Sequence, residues 1–133
     1  MRSVIVLRRG IKFRAWHKVE KCMFEVFGFD VNHVYPFTTS GIVIPPVIDD
    51  VEMLQYTGLK DKNGKEIYEG DIVNYSHPRT DEIIRTVTFK HGAFGIEGIY
   101  EKTHIIFGNI LDSHIEVVGN IYENPELIEV AND

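Results

Sequence analysis

Apolar and polar residues alternate along most of this chain with the period of a β-strand, not of a helix. In residues 11–16, Ile11, Phe13 and Ala15 are separated by Lys12 and Arg14. The polar HKVEK stretch then turns the chain, and CMFEVFGF returns as an apolar, aromatic-rich run. This predicts a β-hairpin over residues 11–29. Residues 30–50 are irregular: Pro36, Pro45 and Pro46 each remove a ladder donor, and residues 38–41 read as a loop. A short edge strand is expected at IVIPP, followed by a linker over 45–50.

From Val51 the pattern is β throughout. VEMLQYT is a strand, Asn63-Gly64 supplies the left-handed conformations of a tight hairpin turn, and Glu69-Gly70-Asp71 makes a second turn. DIVNY and IIRTVTF follow as strands, His91-Gly92 turns the chain, and AFGIEGIY returns with Phe94 and Ile96 facing alike. HIIFGNIL and HIEVVGNIY are two more apolar segments. Strands this short and this regularly spaced predict a mainly β fold: a small barrel or strongly bent sheet over residues 51–133, preceded by an N-terminal extension, hairpin and linker over residues 1–50. The helix signal is confined to the end, where Asn124 can cap, Pro125 suits the first helical position and Glu126 suits the positive end of the dipole.

Composition narrows the function classes. At 133 residues the chain has the size of a single domain. Its one cysteine, Cys22, excludes an intrachain disulfide and a multi-cysteine zinc site. The apolar run at residues 3–7 is shorter than a signal-peptide core, and no stretch approaches the length of a membrane span, so a soluble cytoplasmic protein is expected. A net charge of −6 argues against a general nucleic-acid binder. The charge is uneven, however. Seven of the fourteen Lys and Arg lie in residues 1–21 with only Glu20 opposing them, while residues 112–133 carry six acids and no Lys or Arg. Either the two ends lie against each other or face water, or the first is a basic arm for an acidic partner or a phosphate backbone.

Catalytic chemistry is not legible. The glycines at 58, 64 and 70 sit between strands and form no phosphate loop. Counted from Asp61, a calcium loop fails at its sixth and twelfth positions, which are Glu66 and Ile72. Asp61, Glu66, Glu69 and Asp71, interleaved with Lys60, Lys62 and Lys65, read as a solvated, self-neutralising hairpin; a metal site there is the lesser alternative. The six histidines are scattered and read as exposed turn residues, and Cys22 reads as a buried thiol. No nucleophile has an identifiable base, and no cofactor is expected. Binding has a modest case. Arg14 and Trp16 lie on the second face of the first strand, which either packs on the rest of the molecule or meets a partner. With Gln55 and Tyr56 they are the candidate partner-binding residues.

KFRAW at 12–16, LQYTGLKDKNGKEIYEGDIV at 54–73 and VGNIYENPEL at 118–127 together resemble the YopX family of phage and prophage proteins. The three blocks cover roughly residues 11–130 in the expected order; Met1 to Gly10 precede the family's usual start. The resemblance implies an SH3-like barrel as the C-terminal domain, a smaller N-terminal region and a bacterial host cell. It implies no activity and no catalytic residues. The expectation is a non-catalytic interaction module or adaptor whose partner is a host or phage protein. A nucleic-acid-binding accessory protein with a basic arm is the alternative, and homo-oligomerisation through sheet edges stays open.

Overall fold

In a computed structural model, residues 10–76, 82–98, 104–109 and 114–131 are described. They form two five-stranded antiparallel sheets. Strands β1 (Phe13–His17), β2 (Cys22–Phe29), β3 (Val34–Pro36), β4 (Val51–Lys60) and β5 (Glu66–Tyr68) make the first, in the order β3-β2-β1-β4-β5. The second comprises β6 (Asp71–Tyr75), β7 (Ile83–Lys90), β8 (Ala93–Gly98), β9 (His104–Ile106) and β10 (Ile115–Asn120), in the order β10-β6-β7-β8-β9. A short helix, α1 (Glu126–Ala131), follows.

The local signals set the hairpins. β1 and β2 pair from Arg14 opposite Glu25 to His17 opposite Cys22. Their turn places Lys21 at φ 55°. Gly64, at φ 82°, closes the β4–β5 hairpin in a conformation that costs a residue with a Cβ atom far more. His91 and Gly92, both at positive φ, close β7–β8, where Val87 pairs with Ile96 and Phe89 with Phe94.

Long-range pairing departs from the expected plan. β4 adds to β1, with Phe13 opposite Gln55 and His17 opposite Val51. The break between sheets therefore falls between Tyr68 and Asp71, not at Val51. The described residues form two open sheets and no closed barrel. Residues 42–46 carry no strand; the chain from Pro46 on lies along the edge of β3, with the Val34 N–H donating to the Pro46 carbonyl at 3.0 Å and His33 bridging Val47. Asn124 does not turn its side chain to the helix. Its Oδ1 accepts from the Asn120 N–H at 3.1 Å, into space that a Cβ on Gly119 would fill at 2.6 Å.

Each sheet has its own core. Ala15, Phe24, Val34 and Val51 pack on one face of the first sheet, under Ile42 and Ile48. Val73, Val87, Ile96, Ile115 and Val117 form the second core, and Ile67 of β5 completes it from the first sheet. This leaves the other face of β1, which carries Arg14 and Trp16, turned toward the second sheet.

Candidate functional site

The junction of the two sheets is built from residues 61–71. Asp61 follows β4 directly and is buried, against the expectation of a solvated acid. Its Oδ1 accepts the N–H groups of Asn63 and Lys65, both at 2.9 Å, and its Oδ2 reaches across to the Val117 N–H of β10 at 2.8 Å. Burial pushes this carboxyl upward, but the Val117, Lys65 and Asn63 N–H groups outweigh burial and hold it below the usual range. Beside it, the Lys62 N–H donates to the Ile115 carbonyl at 3.0 Å. Gly70 makes two more links: its N–H donates to Val87 at 2.9 Å and its carbonyl accepts from Ile121 at 2.9 Å.

Asp71 is the second corrected acid, only 1% exposed. Its Oδ2 accepts the Tyr68 N–H at 2.8 Å and its Oδ1 pairs with Nη2 of Arg14. Burial raises its pKa above the usual carboxylate value, and the Arg14 charge opposes the rise. The Arg14 guanidinium lies 4.6 Å from the Tyr68 ring centroid, while its Nε is buried with no hydrogen-bond partner among the described residues. Tyr56 packs on the same tyrosine at 5.5 Å, and Lys12 sits 5.0 Å over the Tyr56 ring while pairing with Glu66.

The four candidate residues thus have separate places. Arg14 and Tyr56 meet around Tyr68. Trp16 is half-buried and stacks on Tyr122 at 5.6 Å, tying β1 to the segment after β10. Gln55 lies on the opposite face of β4 from Tyr56, and its N–H and carbonyl bond to Glu69, to the side-chain Oε1 at 2.9 Å and from the backbone N–H at 3.0 Å.

Two clefts flank β1. One of about 240 Å³ is lined by Arg14, Met23, Phe24, Glu25, Glu66 and Tyr68. The other, of about 460 Å³, holds His17, Glu20, Cys22 and residues 40–44. His17 is buried, not an exposed turn residue, and Cys22 is half-buried. The His17 Nδ1 accepts the Val19 and Glu20 N–H groups at 3.3 and 3.2 Å. The ring is thereby oriented by the turn that follows β1. His104 is held similarly: Nδ1 meets the Thr88 hydroxyl and Nε2 the Ala93 carbonyl, both at 3.1 Å, across Gly95. No group of three or more metal-ligating side chains gathers among the described residues, and none of their helices is long and apolar enough to cross a membrane. His77 lies outside the described residues.

The pattern reading missed one surface, an exposed aromatic rim on β2. A register shift between Val26 and Gly28 leaves Phe27 unpaired against β3 and projects it outward. Phe27 is 74% exposed and meets Phe37, 42% exposed, edge to face at 5.5 Å. Phe29, also largely exposed, meets Phe13 at 5.5 Å. The usable signal was Phe27-Gly28-Phe29, a glycine inside an aromatic strand, which often marks a bulge.

Comparisons with known proteins agree with this architecture. The structure of protein EF1440 from Enterococcus faecalis is similar, with a TM-score of 0.63, 28% sequence identity, and coverage of 91% of this chain and 99% of that one. No curated protein matches the chain. The family model described as YopX protein matches residues 12–129, nearly the whole of what is described, and the chain belongs to the YopX family.

Proposed function

We propose that this protein is a non-catalytic protein-binding module, an adaptor, that docks its partner on the aromatic rim of β2. The observation that carries the reading is the Phe27–Phe37 pair: two aromatic rings held edge to face at 5.5 Å, exposed, and borne on a strand bulge and the adjoining turn. Rigid, exposed aromatics supply contact area at low entropic cost, and a bulge that turns a phenylalanine outward has no use in the core. Partners of main-chain type are less well served. The Asp61 turn occupies the outer edge of β10, and residues 46–48 lie along that of β3.

The basic arm of the alternative reading loses support within the described residues. Lys12 pairs with Glu66, Arg14 with Asp71, and Lys18 lies 3.7 Å from Glu52. Three of the cations that would meet phosphate are already matched by acids. A phage origin, a cytoplasmic location and an SH3-like character for the C-terminal part remain expectations carried by the family resemblance; the docking reading does not depend on them.

The test is a paired capture from bacterial lysate on immobilised protein, comparing the wild type with a Phe27→Ser/Phe37→Ser variant by quantitative mass spectrometry. Proteins retained by the wild type and lost from the variant are expected. Identical sets from the two would refute the reading. Sedimentation of both forms shows whether the rim instead joins two copies of the chain.

A further inference from the structure

We propose that the cleft beside the aromatic rim receives a lysine or arginine side chain of the docked protein. This rests on the docking reading above and specifies the partner's chemistry.

The cleft spans the width of the first sheet from β2 to β5. β2 and β5 are separated in the sheet by β1 and β4, yet side chains from both line one space of about 240 Å³. At about 30 Å³ of liquid volume per water, it has the room of roughly eight waters. That suits one long side chain and is too small for a helix or a strand. It is lined by Arg14, Tyr68, Met23, Glu25 and Glu66.

The charges decide what enters. Arg14 is answered by buried Asp71, and Glu66 by Lys12. Glu25 is exposed, and its carboxylate has no hydrogen bond or ion pair among the described residues. It stands directly opposite Arg14 in the β1–β2 register, but the guanidinium is turned to Asp71 instead. Two cations and three carboxylates leave this part of the junction with one negative charge in excess, on a chain of net charge −6. An anion is therefore opposed, and a cation finds a free carboxylate. The thioether of Met23 and the ring of Tyr68 give the methylene stem of Lys or Arg an apolar wall while its head reaches Glu25.

The rim begins two residues beyond Glu25 on β2. The Phe37 N–H donates to the Glu25 carbonyl at 3.4 Å, which places the Phe27–Phe37 pair beside the Glu25 wall. A partner segment with an apolar residue next to a basic one would fill both at once.

A displayed library of random dodecapeptides, selected on the full chain, tests this. Enriched peptides should carry Lys or Arg beside an apolar residue. Fluorescence polarisation of one such peptide should show about tenfold weaker binding to Glu25→Gln, and a similar loss when the peptide's basic residue becomes glutamine. Combining the two changes should cost little more than either alone, because they break one contact. Glu25→Asp should recover part of the affinity. Glu25 is exposed, so an unchanged melting temperature will show that the variant is folded. Peptides that depend on Phe27 but are indifferent to Glu25→Gln would overturn the cleft and keep the rim. A library that yields no peptide, or only peptides indifferent to Phe27→Ser, would overturn both.

Discussion

Replacing Arg14 by methionine removes the cation that answers Asp71 and keeps most of the apolar stem. The carboxyl it abandons is 1% exposed and retains only the Tyr68 N–H as a donor. Breaking a buried ion pair on one side costs about 3–5 kcal/mol. Arg14 itself is 16% exposed at the edge of a cleft, so the lower end applies, about 3 kcal/mol. The deficit should depend on pH. Burial already raises Asp71 above the 3.8 of a free aspartate, and loss of Arg14 removes what opposes that rise. A carboxyl whose folded pKa is raised stabilises the fold by holding a proton. That contribution is complete below the unfolded value, near 4, and is lost as pH climbs through the raised folded value. Urea unfolding of wild type and Arg14→Met should therefore differ by about 3 kcal/mol at pH 7.5 and by distinctly less at pH 5. Arg14→Met/Asp71→Asn, which removes both charges and keeps an acceptor for the Tyr68 N–H, should recover most of the loss. A deficit under about 1 kcal/mol at pH 7.5, of the size of an exposed pair, or one that grows toward pH 5, would refute the assignment of Asp71 as a buried, Arg14-dependent carboxylate.

Asp61→Ala should cost roughly 3 kcal/mol in chemical denaturation, since it strands the Val117 N–H and loosens two others. Because the Asp61 carboxyl is held below its ordinary 3.8, its contribution is present above that pH and lost as pH falls through the lowered value; the variant should lack this part of the acid transition. Gly95→Ala should destabilise by about 3 kcal/mol and free the His104 ring, because the new Cβ would meet the Ile105 carbonyl at 2.3 Å and no rotamer relieves a backbone contact; the His104 imidazole shifts in NMR spectra read the release. Tyr122→Ala should cost about 1 kcal/mol beyond its lost buried area and shift the emission of Trp16, the single tryptophan, toward that of a solvated indole. An unchanged spectrum would mean that the stacking does not persist in solution.

Local chemistry made much of the first level readable. The β1–β2 hairpin, the Asn63-Gly64 turn, the Gly70-Asp71 turn and the His91-Gly92 turn follow from alternation and from residues that tolerate positive φ. The pairing of β1 with β4 did not, because residues 18–50, with β2 and β3 among them, separate the two and any alternating strand could have claimed β1. The same gap turned an expected barrel into two open sheets. At the junction, Asp61 and Asp71 read as solvated because an acid beside a turn glycine looks the same whether its oxygens meet water or a neighbouring sheet. The faint clue was position: Asp71 opens the fully buried run Ile72-Val73, where a hydrated acid is out of place. Arg14 drew notice through its aromatic surroundings, whereas nothing in the pattern singled out Glu25, Phe27 and Phe37. Their significance comes from a bulge and a cleft that only the assembled sheet creates.

The stretch from Asp61 to Asp71 has a consequence for how the molecule fails. It carries the Asp61 side-chain link and the Lys62 and Gly70 main-chain links between the sheets, and the carboxylate that receives Arg14. A species with one sheet melted would keep a bare β10 edge or a stranded buried charge, and both are costly. Partly melted forms are the ones that aggregate. By making them expensive, the segment through which the family shows itself in sequence leaves the chain little choice between whole and unfolded, and so shields it from self-association during the opening events every protein undergoes.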